Sequence, residues 1–319
     1  MSARDATSPG RPETIRAVPV RHPGRWVSVV VIAVLVAMFG HMLATNDAFQ
    51  WSFMFENMFR PPVLRGARTT IVLTVLAMLI GVALGILLAV MRLSPNPVLS
   101  WTAWFYTWIF RSVPRIVLAI LFGNLAIIFA NGQIDFGLPF DNYLLPLFGL
   151  EGDATLFGLD SREVLSGFMA GLLMLALSEA AYMAEIVRAG ILAVDSGQTE
   201  AAQALGMSRS RILRRIVLPQ AMRVILPPTG NETIAMLKDT ALVAFVPVSN
   251  ELFFQISAVG SRTFQVFPML VAACLWYIAM TSVLLVGQHF LEKRFSRGFG
   301  RRSGRVRAAL PAGGPQGSV

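Results

Sequence analysis

The chain has 319 residues, 55% hydrophobic and 14% charged, and a mean hydropathy of +0.62, whereas an ordinary soluble domain carries about 25% charged residues. Such a balance excludes most soluble enzymes and describes a protein built into a membrane. The formal net charge is +9, but the basic residues lie between long apolar runs and not on one solvated face, so no nucleic acid partner is expected. The single cysteine, Cys274, excludes an internal disulfide, and His22, His41 and His289 are scattered without metal-ligand spacing, so no metal site is expected. Only two lysines occur, Lys238 and Lys293, followed by Asp and Arg. The G-x4-G-K-[ST] phosphate loop is therefore absent, and any ATP that drives this protein must be bound by another chain.

A membrane-crossing helix needs about 20 mostly apolar residues. Six such runs are found, near 26–45, 69–91, 113–130, 164–188, 229–248 and 268–290. Residues 1–25, with Arg4, Arg11, Arg16, Arg21 and Arg25, read as a disordered basic tail, and so do residues 298–319. Attraction to anionic membrane lipid accounts for the charge of both. The run at 26–45 is read as a retained span and not a signal peptide, because it is long and no A-x-A site follows. Gly81 with Gly85, and Gly167 with Gly171, place small residues at helical spacing, which lets neighbouring helices approach closely. The third run is short, and the aromatic stretch 101–110 before it either extends it or forms an interfacial helix. Arg111 and Pro114 are expected at its inner entrance, where a first helical turn tolerates proline.

Basic loops stay cytoplasmic. The first tail, the loop 189–228 with Arg209, Arg211, Arg214, Arg215 and Arg223, and the last tail with Lys293 to Arg307 all fall on one side of a six-span chain. Both termini are therefore expected inside. The predicted outer loop 131–163 carries Asp135, Asp141, Glu151, Asp153 and Asp160 on its acidic side and Arg162 as its one basic residue, while Arg60, Arg65 and Arg68 of the first outer loop dissent. The expected fold is an all-α integral membrane protein of about six transmembrane helices.

The inner loop reads as two short helices. Thr199 caps the first, Gly206 suits the left-handed position that ends it, Ser208 caps the second, and Pro219 closes the element. The alanines Ala201, Ala202 and Ala204 leave a face with little bulk that a partner surface could approach. Within this loop Glu200-Ala201-Ala202, three residues, Gly206, nine residues, Ile216, one residue and Leu218-Pro219 reproduce the pattern E-A-A-x3-G-x9-I-x-L-P. At these residues the chain resembles the permease subunit of a bacterial ATP-binding-cassette importer, in which this loop docks into a cleft of the ATP-hydrolysing subunit. The resemblance implies that Glu200, Ala201, Ala202, Gly206, Ile216, Leu218 and Pro219 couple the two subunits.

Flanking stretches narrow the likeness. Residues Tyr182 to Ile191 and Lys238-Asp239-Thr240-Ala241-Leu242 are similar to polar amino acid permeases that work with histidine, arginine, glutamine or glutamate binding proteins. The similarity spans 64–295, with a five-helix core to which 26–45 and 131–163 look like additions. The family's R-G-T-P followed by apolar residues and a glutamine is here Arg111-Ser112-Val113-Pro114-Arg115 with Leu118, and its K-D-T-S is Lys238-Asp239-Thr240-Ala241. The resemblance implies import of a polar amino acid across the bacterial inner membrane. It also implies a partner ATPase holding ATP and Mg, an extracytoplasmic binding protein and a second permease, either a copy or a paralogue. No cofactor or catalytic residue is expected on this chain.

The fifth run places Glu232, Lys238 and Asp239 at membrane depth, where each costs roughly 2.5–3.5 kcal/mol if it faces lipid. Seven residues advance a helix almost two turns, so Glu232 and Asp239 share one face, and Asn231 and Lys238 the next. Glu179 and Glu185 of the fourth run are candidate partners of Lys238, while Glu185 and Arg188 can pair locally. Two readings of the strip formed by Asn231, Glu232, Lys238, Asp239, Thr240, Glu179 and Glu185 stand side by side: the border of a pathway for a zwitterionic cargo, or a buried network holding helices in register. The segment 247–267 reads as amphipathic at the outer interface. An ion-coupled secondary carrier is the competing function, although no internal repeat of the kind such carriers show is visible. A membrane-embedded enzyme has no further support.

Overall fold

The computed structural model describes residues 23–129, 132–137, 141–149, 154–165, 167–246 and 250–295. The tail 298–319 and most of 1–25 lie outside them. The chain divides at Gln50 and Trp51 into two units. The first contains α1, Pro23–Thr45, an exposed apolar helix long enough to cross a membrane, and a short turn at Asp47–Phe49 capped by Asn46.

The second unit is a helical bundle. A short α2, Trp51–Asn57, precedes α3, Pro61–Arg92, which starts with prolines in its first turn, where no amide bond is lost. Then follow α4, Pro97–Ser112, and α5, Arg115–Gly123. Where the third span was expected stands a bent helix pair: α4 carries the aromatic stretch, and α5 leaves it at 98°. Val113 and Pro114 are both extended, as residues at and before a proline prefer. Pro114 caps α5 at this break, with Arg111 in the last turn of α4. Both residues thus lie at the break between two helices.

Within 131–163 the expectation of an all-helical chain meets one exception among the described residues. Strands β1, Gln133–Gly137, and β2, Thr155–Asp160, pair antiparallel, with Phe136 opposite Phe157 and their rings 4.8 Å apart. A short α6, Asp141–Leu147, lies between them, and α7, Ser161–Val164, follows.

The central helix is α8, Gly167–Leu192. It runs parallel to α3, with Gly81 against Glu179 and Gly85 against Met183; a Cβ on these glycines would come within 2.8 and 2.5 Å of those side chains. In lipid, helices gain no hydrophobic energy by associating, so contact depends on close packing of this kind. The spacing of the two glycines carried that signal. Toward the two ends of α8, Gly171 meets Val243 and Gly190 meets Ile225.

The loop after α8 contains α9, Ser196–Ala204, and α10, Arg209–Ile212. A π-helical turn at Leu213–Val217 leads without interruption into α11, Leu218–Asp239. Three expectations change here. Helix α9 begins before Thr199 and is capped by Asp195, whose carboxylate accepts from the Gly197 amide at 2.7 Å. Pro219 does not close the element; it sits in the first turn of α11, next to a widened turn of the kind that accommodates a missing amide donor. The helix of the fifth predicted run therefore starts eleven residues early and runs through Pro227 and Pro228, then tightens into a 3-10 turn at Thr240–Phe245; its polar residues leave it less apolar than the helices that could cross a membrane by composition alone. The last elements are α12, Leu252–Thr263, and α13, Val266–Phe295.

Two main apolar cores hold the unit. One joins α3, α5, α8 and α11 through Leu73, Leu118, Leu175 and Met236. The other joins α2, α3, α12 and α13 through Met54, Val63, Ile256 and Met269. Large apolar side chains such as Leu79, Val90, Val283 and Val286 remain exposed on the outside of α3 and α13, a surface suited to lipid.

Candidate functional site

The bend between α4 and α5 puts Arg115 at the first position of α5, beside the middle of α8. Its Nη1 donates to Asp239 Oδ2, its Nη2 to Glu179 Oε2 at 3.2 Å, and Glu232 Oε2 is 3.7 Å away. The guanidinium lies over the Tyr182 ring, 4.5 Å from its centroid. Arg111 lies over the same ring at 5.7 Å. Glu232 and Asp239 do share a face of α11, and both meet the same cation. Glu179 is completely buried, whereas the side chains of Glu232 and Asp239 are 25% and 30% exposed. The cluster thus has a closed floor and an open rim. Only a glycine at position 81 leaves space for the Glu179 side chain.

The cation that gathers these carboxylates is not Lys238. Lys238 is exposed and makes no ion pair among the described residues. Its two candidate partners are engaged elsewhere: Glu179 with Arg115, and Glu185 with Arg188, 2.8 Å away on the same helix. Arg115 and Tyr182 are the site residues that the sequence reasoning passed over. A signal existed, since Arg115 stands in an apolar stretch where the resembled family has an apolar residue, and an arginine at that depth needs a partner. Below the cluster, a polar cavity of about 400 Å³ is lined by Arg92, Trp104, Arg111, Tyr182 and Glu185. Asn231, on the neighbouring face of α11, accepts from Gln288 Nε2 of α13 at 2.9 Å.

A second polar node lies one residue beyond Asp239. Thr240 is buried, and its hydroxyl donates to Leu237 O at 2.8 Å and lies 3.5 Å from Glu251 Oε1. Glu251, read from the sequence as part of an amphipathic surface, is fully buried. Its Oε1 accepts from Thr70 of α3 at 2.8 Å and from Tyr277 of α13 at 2.7 Å. Its Oε2 caps α12 by accepting from the Phe253 amide at 2.7 Å. One carboxylate thus ties three helices to the joint where α11 ends.

At the opposite end of α8, α9 and α10 fold into a small knob around Ala202, Ile212 and Val217. Ala202 is therefore internal and not part of the open alanine face, and Ile216 packs against this core. Gly206 has φ +73°, the left-handed conformation its position required. Glu200, Ala201, Gly206, Leu218 and Pro219 are exposed, and Leu205 at the tip is 83% exposed.

A bent helical bundle in a membrane, with a rigid knob at one end and a charged cluster inside, is the architecture of a transport subunit. Residues 81–297 match the family described as the binding-protein-dependent transport system inner membrane component, and the chain belongs to that family. It is an integral, multi-pass protein of the bacterial inner membrane and a permease subunit of an ATP-binding-cassette importer. Among its relatives is the arginine transport system permease protein ArgU of Corynebacterium glutamicum, 43% identical over 292 residues, with 91% of this chain and 86% of the relative covered. The probable amino-acid ABC transporter permease protein YckA of Bacillus subtilis is 31% identical, covering 78% of this chain and 98% of that one. A solved amino acid ABC transporter with histidines superposes with a TM-score of 0.59 at 32% identity, over 73% of this chain and 94% of the other. The fold also matches the MetNI methionine transporter, with a TM-score of 0.53 at 20% identity, over 76% of this chain and 99% of that one.

Proposed function

We propose that this chain carries a polar amino acid into the cytoplasm along the face of α8 and α11 that bears the Arg115 cluster, driven by a separate ATPase that grips the α9–α10 knob. In this reading both termini and the knob are cytoplasmic. ATP and Mg are bound and hydrolysed on the partner, an extracytoplasmic binding protein delivers the cargo, and a second permease, copy or paralogue, completes the pathway. No cofactor belongs to this chain. The observation that carries the proposal is the pairing of an exposed, rigid, apolar-tipped knob with a partly open charged cluster on one continuous helical run, 209–239. A push on the knob is transmitted along that run to Glu232 and Asp239. Coupling further requires that the ATPase favour one permease state over the other, since a partner indifferent to the two would shift nothing.

Glu200, Ala201, Gly206, Leu218 and Pro219 would present the docking surface, with Ala202 and Ile216 holding it in shape. Asn231, Glu232, Lys238, Asp239, Thr240, Glu179 and Glu185 would border or brace the pathway, and Arg111 with Pro114 would set the bend that brings Arg115 to it. The test is uptake of radiolabelled amino acids by proteoliposomes containing the full chain, its partner ATPase and binding protein. Uptake that requires ATP inside and the partner is expected. Uptake that persists without ATP under an ion gradient would instead establish a secondary carrier, a reading no particular feature of the structure favours.

A further inference from the structure

We infer that the crevice between the knob ends of α8, α11 and α13 binds one anionic phospholipid, with its phosphate on Arg223 and Lys293 and its acyl chains on the apolar wall beside them.

Helices α11 and α13 meet at Gln288, whose Nε2 donates to Asn231 Oδ1 at 2.9 Å and lies 3.5 Å from Pro227 O. On the knob side of that contact a cavity of about 740 Å³ opens. Val194 just past α8, Val224 and Leu226 of α11, and Leu291 and Phe295 of α13 give it an apolar wall. Arg223, His289 and Lys293 line the same cavity, so two permanent cations and a ring N–H face it from two helices. The acid among the lining residues, Glu292, accepts from Gln288 Nε2 one turn earlier on its own helix at 2.8 Å. The cations outnumber it.

Each half of the site by itself has an ordinary explanation. A lysine in the last turn of α13 suits the helix dipole, and apolar side chains on a membrane helix suit lipid. Arg223 is different: it stands in α11 past the first turn, yet lines the same cavity as Lys293 of a separate helix. Cations from two helices beside one apolar wall match a ligand in which a fixed negative charge is joined to hydrocarbon. A soluble anion would leave the apolar wall in water, and a zwitterionic lipid brings its own cation next to the phosphate. The chain after α13 does not supply the anion, because 296–319 contains arginines but no Asp or Glu. Basic clefts between membrane helices hold anionic headgroups in this way, and the forked donors of arginine suit a phosphate. A headgroup held by Arg223 and Lys293 bridges α11 to α13 where α11 leaves the knob.

The test is retention of radiolabelled phosphatidylglycerol by the purified full chain in detergent, compared with phosphatidylcholine. Saturable binding of phosphatidylglycerol is expected, about tenfold tighter or more than that of phosphatidylcholine. Arg223→Gln combined with Lys293→Gln should weaken it about tenfold or more, as loss of a charge-assisted hydrogen bond does. Arg294→Gln removes a neighbouring charge that does not line the cavity and should stay within about twofold of the parent, since exposed charges outside the site are screened. Ala193→Trp keeps every charge but fills part of the cavity, and should also weaken binding; it decides the matter if the double variant does not fold. Equal retention of the two lipids overturns the inference. So does a loss from Arg294→Gln as large as that from the double variant, which would mean general attraction to a basic surface, or parental affinity in a folded double variant or in Ala193→Trp.

Discussion

Glu251 offers the most quantitative test of the bundle. Replacing it with alanine removes the acceptor for Tyr277, Thr70 and the Phe253 and Phe254 amides. Hydrogen bonds to a charged group are worth about 1.5–3 kcal/mol each but are not additive, and loss of a helix cap costs about 1 kcal/mol. A total of about 3–5 kcal/mol is expected. Glu251→Gln should cost less, about 1–2 kcal/mol, for a chemical reason. The two hydroxyls can turn to accept from the new amide, whereas the backbone amides cannot, so the remaining carbonyl oxygen must stay on the α12 side. The assay is thermal unfolding of purified protein in detergent, followed by tryptophan fluorescence, with Trp276 bonded to Met58 O nearby as the reporter. For a unit of this size, 1 kcal/mol shifts the midpoint by about 2–4 °C. The alanine variant should melt about 10 °C early, with glutamine between it and the parent. An alanine variant that melts within about a degree of the parent would refute the argument that this carboxylate binds the helices together.

Three further outcomes are expected. Gly85→Leu should disrupt the α3–α8 contact by about 1–3 kcal/mol or more, because its Cβ alone would lie 2.5 Å from Met183 Cβ and 3.1 Å from Ala180 O; Gly287→Ala, with nothing within 4 Å, should be neutral or slightly stabilising in the same melting assay. Lys238→Met should insert and melt like the parent, since Lys238 is exposed and makes no ion pair among the described residues, yet import more slowly; parental uptake would remove it from the pathway. Asn231→Leu loses its bond to Gln288 and should destabilise the α11–α13 contact by about 1 kcal/mol, read from the melting midpoint.

Features governed by local rules were legible in the sequence. The left-handed Gly206, the close glycine pair of α3 and the shared face of Glu232 and Asp239 follow from backbone sterics and helical period alone. What escaped depended on distant partners. Pro219 read as a breaker, but a widened turn carries the helix past it, and the same helix continues through Pro227 and Pro228. Thr199 and Asp195 are both competent caps, and spacing alone does not choose between them. Lys238 looked like the charge that Glu179 needed because both lie in predicted spans, whereas the 98° bend at Pro114 delivers Arg115 instead. Glu251 read as surface because its partners, Thr70 and Tyr277, are 181 and 26 residues away.

The central claim is that the knob passes work from a separate ATPase to the bundle, and Leu205→Asp tests it most directly. Leu205 is 83% exposed and touches no core, so the variant should insert and melt as the parent does. ATP-driven amino acid uptake in proteoliposomes containing the partner ATPase is predicted to fall at least tenfold, with the ATPase no longer copurifying. Undiminished uptake by the inserted variant would contradict the account.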